Sequence, residues 1–273
     1  MEVRKFFQKN SLSKLSKISD LELNEILNFV FDSDTKLSNT FVDLSTLNFE
    51  IKLPDFIDIE EKLKLNIPVA YITGKVEING LTFLTPQGKV LIPRVETEEL
   101  VEMIAFRENC RILDIGTGTG YIAINLKNKF HGAIVDAVEI SSEASEIATE
   151  NCKLNQVDVN IYNSDISDYK PNFKYDIIVS NPPYIPHTYK SKISRAVKDF
   201  EPDGALFAFQ NGLEVYKKIA DFCEKYLDEK GEIYLEIFSK KQGLEIIKLF
   251  EKLNLDAEIK KDIFGKYRFL ILN

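Results

Sequence analysis

The hydrophobic rhythm of the chain changes near residue 95. Before that point apolar residues recur at helical spacing: Leu23, Ile26, Leu27 and Val30 follow Ser19 and Glu22, whose three-residue separation marks a capping box at a helix start. Pro54 can open a second helix with apolar positions at Ile57, Ile59 and Leu63, ending before Pro68. Residues 1–70 therefore predict a small helical domain. The stretch Val76-Glu77-Ile78-Asn79-Gly80-Leu81-Thr82-Phe83 sets an Asn-Gly pair between apolar residues, a strong hairpin signal, and residues 71–94 read as a β-hairpin connector.

From residue 95 to 273 short apolar runs alternate with amphipathic segments, which predicts an α/β catalytic domain of parallel strands with helices on both faces. The expected strands are Ile112 to Ile115, Ala133 to Ile140, Val159 to Tyr162, Tyr175 to Ser180 and Glu232 to Phe238. Helices fit Glu143 to Leu154, with a stripe at Ala144, Ile147, Ala148 and Cys152, and Gly212 to Leu227. Asp256 to Lys261 and Tyr267 to Leu272 flank Gly265 closely enough to return as an antiparallel hairpin. No internal repeat or low-complexity segment interrupts this order.

Composition narrows the functional classes. With 273 residues and 44% hydrophobic content the chain can bury a sizeable core. Thirty-five basic against 43 acidic residues give a net charge of -8, which weighs against a phosphate backbone as main partner. Cys110, Cys152 and Cys223 have no paired or metal-like spacing and read as reduced core residues. His131 and His187 are too few and too far apart to suggest a zinc site, so no metal is expected. Met1 to Lys17 lacks the apolar core of a signal peptide, and the default expectation is a cytoplasmic monomer without membrane contact.

Three segments carry candidate chemistry. The run Asp114-Ile115-Gly116-Thr117-Gly118-Thr119-Gly120 follows apolar Ile112-Leu113 and precedes a helical pattern, so its glycines let backbone approach a ligand. Glu139 stands nineteen positions past Gly120, at the end of the next strand, placed to accept hydrogen bonds from ribose hydroxyls. Asp165, after the third strand, can accept an adenine amino group while Ile166 packs on the base, or it can simply cap a turn. Asn181-Pro182-Pro183-Tyr184 follows the strand Tyr175 to Ser180 directly. Its prolines cannot relax into a helix or pair with a neighbouring strand. The Asn181 side-chain carbonyl and the Pro182 backbone carbonyl can each accept one N–H of a planar NH2 group, with Tyr184 covering it. Ligands of open α/β sheets lie beyond the carboxyl ends of strands, so these segments should converge.

The Gly-x-Gly-x-Gly spacing with Asp114 ahead of it resembles the nucleoside-methyltransferase version of the fold, in which the loop holds the methionine part of S-adenosylmethionine. The chain as a whole resembles the glutamine-N5 methyltransferases that modify peptide chain release factors. Besides Asn181-Pro182-Pro183-Tyr184, the resemblance covers Pro68-Val69-Ala70-Tyr71-Ile72-Thr73-Gly74 with Gly80-Leu81-Thr82-Phe83, Leu91-Ile92-Pro93-Arg94, Glu96-Thr97-Glu98, Glu201-Pro202 with Ala205-Leu206, Gly212-Leu213, Tyr216, Leu235-Glu236-Ile237 and the terminal Gly265 with Arg268, together spanning about residues 68 to 272. Departures are Glu139, where Asp is commoner, the stretch Phe207 to Asn211, and Phe238-Ser239, where a glycine is usual.

The resemblance implies a Rossmann-like class I S-adenosylmethionine-dependent methyltransferase domain, with S-adenosylhomocysteine as product. It implies as substrate the glutamine of a Gly-Gly-Gln tripeptide in class 1 release factors. On that reading Asn181, Pro182, Pro183 and Tyr184 are catalytic and bind substrate, while Asp114, residues 116–120, Glu139, Asp165, Ile166 and Asn181 bind cofactor. The helices of residues 1–70 either grip the protein substrate or stabilise the fold. Arg94, Thr97 and Glu98, near the domain junction, either shape the methionine end of the pocket or pair with one another. Two other readings stay open: N6-adenine methylation of DNA or RNA, since that amine is also a planar NH2, and a non-catalytic module that keeps the fold.

Overall fold

In the computed structural model, Gln8 and residues 12–31, 53–105, 107 and 109–273 are described. The capping box forms as its spacing requires. The Ser19 N–H and hydroxyl donate to the Glu22 carboxylate at 2.9 and 2.7 Å, and the Glu22 N–H donates to Ser19 Oγ at 3.2 Å. It opens α1 (Asp20–Phe31), followed by α2 (Leu53–Lys64) and α3 (Val69–Thr73). Leu23, Ile26 and Leu27 of α1 meet Phe56, Ile59 and Leu63 of α2 in one buried cluster. Of the front segment expected to be helical, residues 32–52 lie outside the described ones.

The Asn-Gly signal is realised as a hairpin of β1 (Lys75–Ile78) and β2 (Leu81–Leu84). Asn79 and Gly80 both take positive φ, 53° and 77°, the condition for a two-residue turn whose twist matches the strands.

The remainder builds the sheet and its cover. In chain order it comprises α4 (Val95–Met103), β3 (Arg111–Ile115), α5 (Tyr121–Lys129), β4 (Ile134–Glu139), α6 (Ser142–Leu154), β5 (Asn160–Asn163) and β6 (Tyr175–Ser180). Then come β7 (Ile185–Pro186), α7 (Arg195–Phe200), β8 (Phe207–Ala208), α8 (Glu214–Tyr226), β9 (Leu227–Glu236), α9 (Lys240–Leu249), β10 (Ala257–Lys261) and β11 (Tyr267–Leu272). Seven strands stand in the order β10-β11-β9-β6-β3-β4-β5. Strands β5, β4, β3, β6 and β9 run parallel, and β11 and β10 return antiparallel.

The period-two geometry of strands divides the core between two faces. Ile112, Val135, Ala137, Ile177 and Val179 point to one face, where α5 contributes Ala123 and Leu126. Leu113, Val138, Ile178, Ile233 and Leu235 point to the other, under Ile219 and Cys223 of α8 and Ile246 of α9. Burial on both faces is why these strands read as unbroken apolar runs. The three cysteines are buried and free.

Two departures from the sequence reading have physical causes. Strand β4 stops at Glu139, leaving Ile140 68% exposed, because the Glu139 carbonyl already receives the Ser164 N–H beyond β5. Strand β9 starts at Leu227 instead of Glu232, since Leu227 pairs with Tyr175 across a register shift. Helices α4 and α9 go beyond the expectation. No helix among the described residues is long and apolar enough to cross a membrane.

Candidate active site

The chain runs from β3 to β4 and β5 on one side, then crosses to β6 on the other, so β3 and β6 flank the reversal of strand order. There, beyond their carboxyl ends, lies a cavity of about 320 Å³. Its wall includes residues 116–119 of the glycine loop, Glu139, Asp165 with Ile166, and residues 181–183. The expected convergence is therefore present.

The loop is strung from the end of β4. The Gly116 and Thr117 N–H groups donate to the Val138 carbonyl at 2.8 and 3.3 Å, and the Gly118 N–H donates to Glu139 Oε2 at 2.9 Å. Glu139 Oε1 takes the Ser141 N–H at 2.9 Å. Each carboxylate oxygen keeps a second acceptor position, so Glu139 can still receive a hydroxyl from the cavity. Gly120 lies behind the wall as the N-cap of α5, where a Cβ would stand 3.1 Å from Ile124 Cδ1 and press on Ala148 of α6.

Asp114 does not face the cavity, a correction to its expected ligand role. It is fully buried, and its Oδ2 accepts from Thr117 Oγ1 at 2.5 Å and from the Ala123 N–H at 3.2 Å. Burial pushes its pKa up to about 7 against the pull of those two donors, and the Glu139 charge adds to the rise. Asp114 shapes the loop from behind.

Asp165 accepts from Lys218 Nζ at 2.6 Å and from the Ser167 N–H at 2.8 Å. Partial burial alone would raise its pKa, but these donors prevail and hold it below the usual range. Lys218, on α8, also lines the cavity. The sequence carried no sign of it, since one Lys on an amphipathic helix looks like any solvated face.

At the opposite end Asn181 Nδ2 donates to Thr97 Oγ1 at 2.9 Å, and Thr97 Oγ1 donates to Glu236 Oε2 at 2.9 Å. Thr97 and Glu236 are only 4% and 2% exposed. Burial pushes the Glu236 pKa up to about 7, opposed by the hydrogen bonds from Tyr184 and Thr97, raised further by Glu96 and lowered by Arg268. A signal for this residue did exist: an acid inside the apolar run Ile233-Tyr234-Leu235-Glu236-Ile237 is rarely buried without a task.

Tyr184 is the second correction. It is not part of the cavity wall; its hydroxyl donates to Glu236 Oε1 at 2.9 Å and its ring lies 6.4 Å from that of Phe238. A half-buried phenol needs a hydrogen-bond partner, and Tyr184 finds it in the Glu236 carboxylate behind the turn, so its hydroxyl anchors the turn. The Thr97 and Glu98 N–H groups donate to the Arg94 carbonyl at 3.1 and 3.2 Å at the start of α4, and the three side chains turn to other partners. Arg94 lines the cavity and pairs with Glu201, while Glu98 receives Asn79 Nδ2 of the hairpin turn at 2.7 Å.

Similarity to known proteins agrees with this geometry. A release factor glutamine methyltransferase of Lactococcus lactis is 43% identical over 226 residues, 81% of this chain and 82% of that protein. One from Streptococcus pneumoniae is 38% identical over 257 residues, 91% of each chain. The chain belongs to the release factor glutamine methyltransferase family.

Residues 95–220 match the methyltransferase small domain. A solved methyltransferase from Pyrococcus furiosus shares the fold, with a TM-score of 0.56 at 22% identity over 79% of this chain and 97% of that one. The fold is that of class I S-adenosylmethionine-dependent methyltransferases, as expected, and this family member is an enzyme. A non-catalytic module is thereby set aside.

Proposed function

We propose that this glutamine methyltransferase moves a methyl group from S-adenosylmethionine to the side-chain nitrogen of the glutamine in the Gly-Gly-Gln motif of class 1 release factors. The observation that carries the reading is the Asn181 amide, whose NH2 is held by Thr97 beside the cavity it lines. That hold turns the Asn181 carbonyl toward an incoming N–H.

The residues present fit the cofactor. Gly116 and Gly118 take φ of +72° and +57° with open space where a Cβ would project, so a ligand can lie against bare backbone. Residues 116–119 would hold the methionine part, Glu139 the ribose, and Asp165 with Ile166 the adenine. Bound there, S-adenosylmethionine supplies an electrophilic sulfonium methyl group.

What the chain itself contributes is position. An amide nitrogen is a weak nucleophile because its lone pair is delocalised into the carbonyl. Two acceptors, Asn181 Oδ1 and the Pro182 carbonyl, would take both N–H bonds and aim the lone pair, so rate comes from orientation and preorganised dipoles, and the nitrogen loses one proton to water after transfer. A glutamate carboxylate has no N–H for them, and each unpaired buried acceptor costs about 1 to 3 kcal/mol, besides repulsion. In this reading residues 1–70 grip the protein substrate, residues 71–94 connect, and residues 95–273 carry the transfer, in a cytoplasmic monomer.

The test is labelled transfer to purified release factor, with a variant lacking the motif glutamine as control. Asn181→Ala should lower turnover by about a hundredfold or more, while S-adenosylhomocysteine affinity, read by calorimetry, changes by less than about threefold. Turnover near wild type in that variant would refute the reading.

A further inference from the structure

The two ends of a side-chain amide are almost the same size, yet only one suits the proposed chemistry. Turned one way, Asn181 offers the cavity an acceptor, which suits a substrate amide. Turned the other way it offers a donor, which suits a carboxylate. Nothing in Asn181-Pro182-Pro183-Tyr184 itself selects between them.

The selection comes from behind the motif. An ionised carboxylate only accepts hydrogen bonds, so the Thr97 hydroxyl must direct its single proton to Glu236 Oε2. The free lone pair of Thr97 Oγ1 can then only receive, and what it receives is Asn181 Nδ2. Oδ1 is left for the cavity. The other oxygen of the same carboxylate takes the Tyr184 hydroxyl, so one buried acid sets both ends of the motif. Its own place is held by Tyr216, whose hydroxyl donates to the Glu236 backbone carbonyl. Glu96 and Arg268 are the other charges acting on it.

We infer that Glu236 and Thr97 are positioning residues that set which end of the Asn181 amide the substrate meets, making the site accept an amide and refuse a carboxylate. The inference rests on the role assigned to Asn181 above. It goes further in assigning glutamine-over-glutamate selectivity to a buried acid behind the wall and to Thr97, which lines the cavity beside Asn181 and acts through its amide. A purely structural role would stabilise the packing of α4 against β9 but would not alter which side chain is preferred.

The experiment compares Thr97→Val, which keeps the shape and removes the hydroxyl, with Thr97→Ser, which keeps the hydroxyl. Turnover is measured on wild-type release factor. Binding of a release factor with glutamate in place of the motif glutamine is measured by calorimetry with S-adenosylhomocysteine present. Thr97→Val should lower kcat by about thirtyfold and tighten binding of the glutamate protein by about tenfold, the scale of one buried hydrogen bond turned from mismatched to matched. Thr97→Ser should restore both to within about threefold of wild type.

Should Thr97→Val prove unfolded by circular dichroism, Glu236→Gln takes its place, because its NH2 can reverse the relay at nearly unchanged volume. It should relax the same preference. Unchanged kcat and unchanged preference in the folded variant overturn the inference while an inactive Asn181→Ala leaves the functional reading standing. An active Asn181→Ala overturns both.

Discussion

The two ends of the cavity are built by opposite means. At the glycine loop the decisive contacts are close in sequence: Asp114 gathers the Thr117 hydroxyl three residues on and the Ala123 N–H nine residues on, and Gly120 donates to the Thr117 carbonyl. At the Asn181 end the partners are distant. Thr97 lies 84 residues from Asn181 and 139 from Glu236, and Glu236 lies 52 from Tyr184. Gln242 adds a further tie by donating Nε2 to the Tyr184 carbonyl, 58 residues away, at 2.9 Å. Both ends set a buried carboxylate behind the wall to collect donors. One collects from its own loop, the other from α4 and the end of β6. The loop thus needs its own residues and the neighbouring end of β4, whereas the amide end exists only after the whole sheet has closed.

The largest expected break is at Gly212. A Cβ there would stand 2.3 Å from the Tyr184 carbonyl oxygen and 2.6 Å from Gln242 Nε2, at a φ of +81°. Gly212→Ala must therefore push the motif aside. A displacement near 1 Å is enough to cost about a hundredfold in kcat, and S-adenosylhomocysteine affinity should stay within about threefold, measured by calorimetry. If both fall together, the two ends are not independent.

Next in size is the response to pH. With Glu236 titrating at about 7, the orienting carboxylate is lost as pH falls, so turnover at about pH 5.5 should be about thirtyfold below its plateau. Glu236→Gln should remove that limb, as read from kcat profiles. Stability should move in the opposite direction. Asp114 and Glu236 both bind protons more tightly folded than unfolded, so the folded chain holds the extra protons between about pH 4 and pH 7. Stability is then highest below that window and falls as pH rises through it, on the order of 3 kcal/mol for each carboxyl. Urea unfolding at about pH 5 and pH 8 checks this, and Glu236→Gln should shrink the difference by about half.

The smallest effect is expected in the glycine loop. Gly118→Ala meets no atom within 4 Å but must hold a φ of +57°, a strain of about 1 kcal/mol. Affinity for S-adenosylhomocysteine should fall by about fivefold to tenfold with kcat on release factor preserved. A large loss of kcat instead would show that the loop communicates with the amide end.

Elements whose physics is local were legible along the chain. Helix caps, the Asn-Gly turn and the apolar runs of β3, β4 and β6 each depend on residues within a few positions and formed close to where that chemistry placed them, and the glycine loop adds its ties to the end of β4. The bringing together of Glu139, Asp165 and Asn181 followed from the rule that ligands lie beyond strand ends. Which way Asn181 faces, why Tyr184 and Asp114 turn away from the cavity, and the pairing of Lys218 with Asp165 depend on contacts that exist in the folded molecule alone. A hydrogen bond requires its two atoms within about 3 Å, and for partners 52 to 139 residues apart that proximity is a property of the closed sheet, not of any segment of the chain.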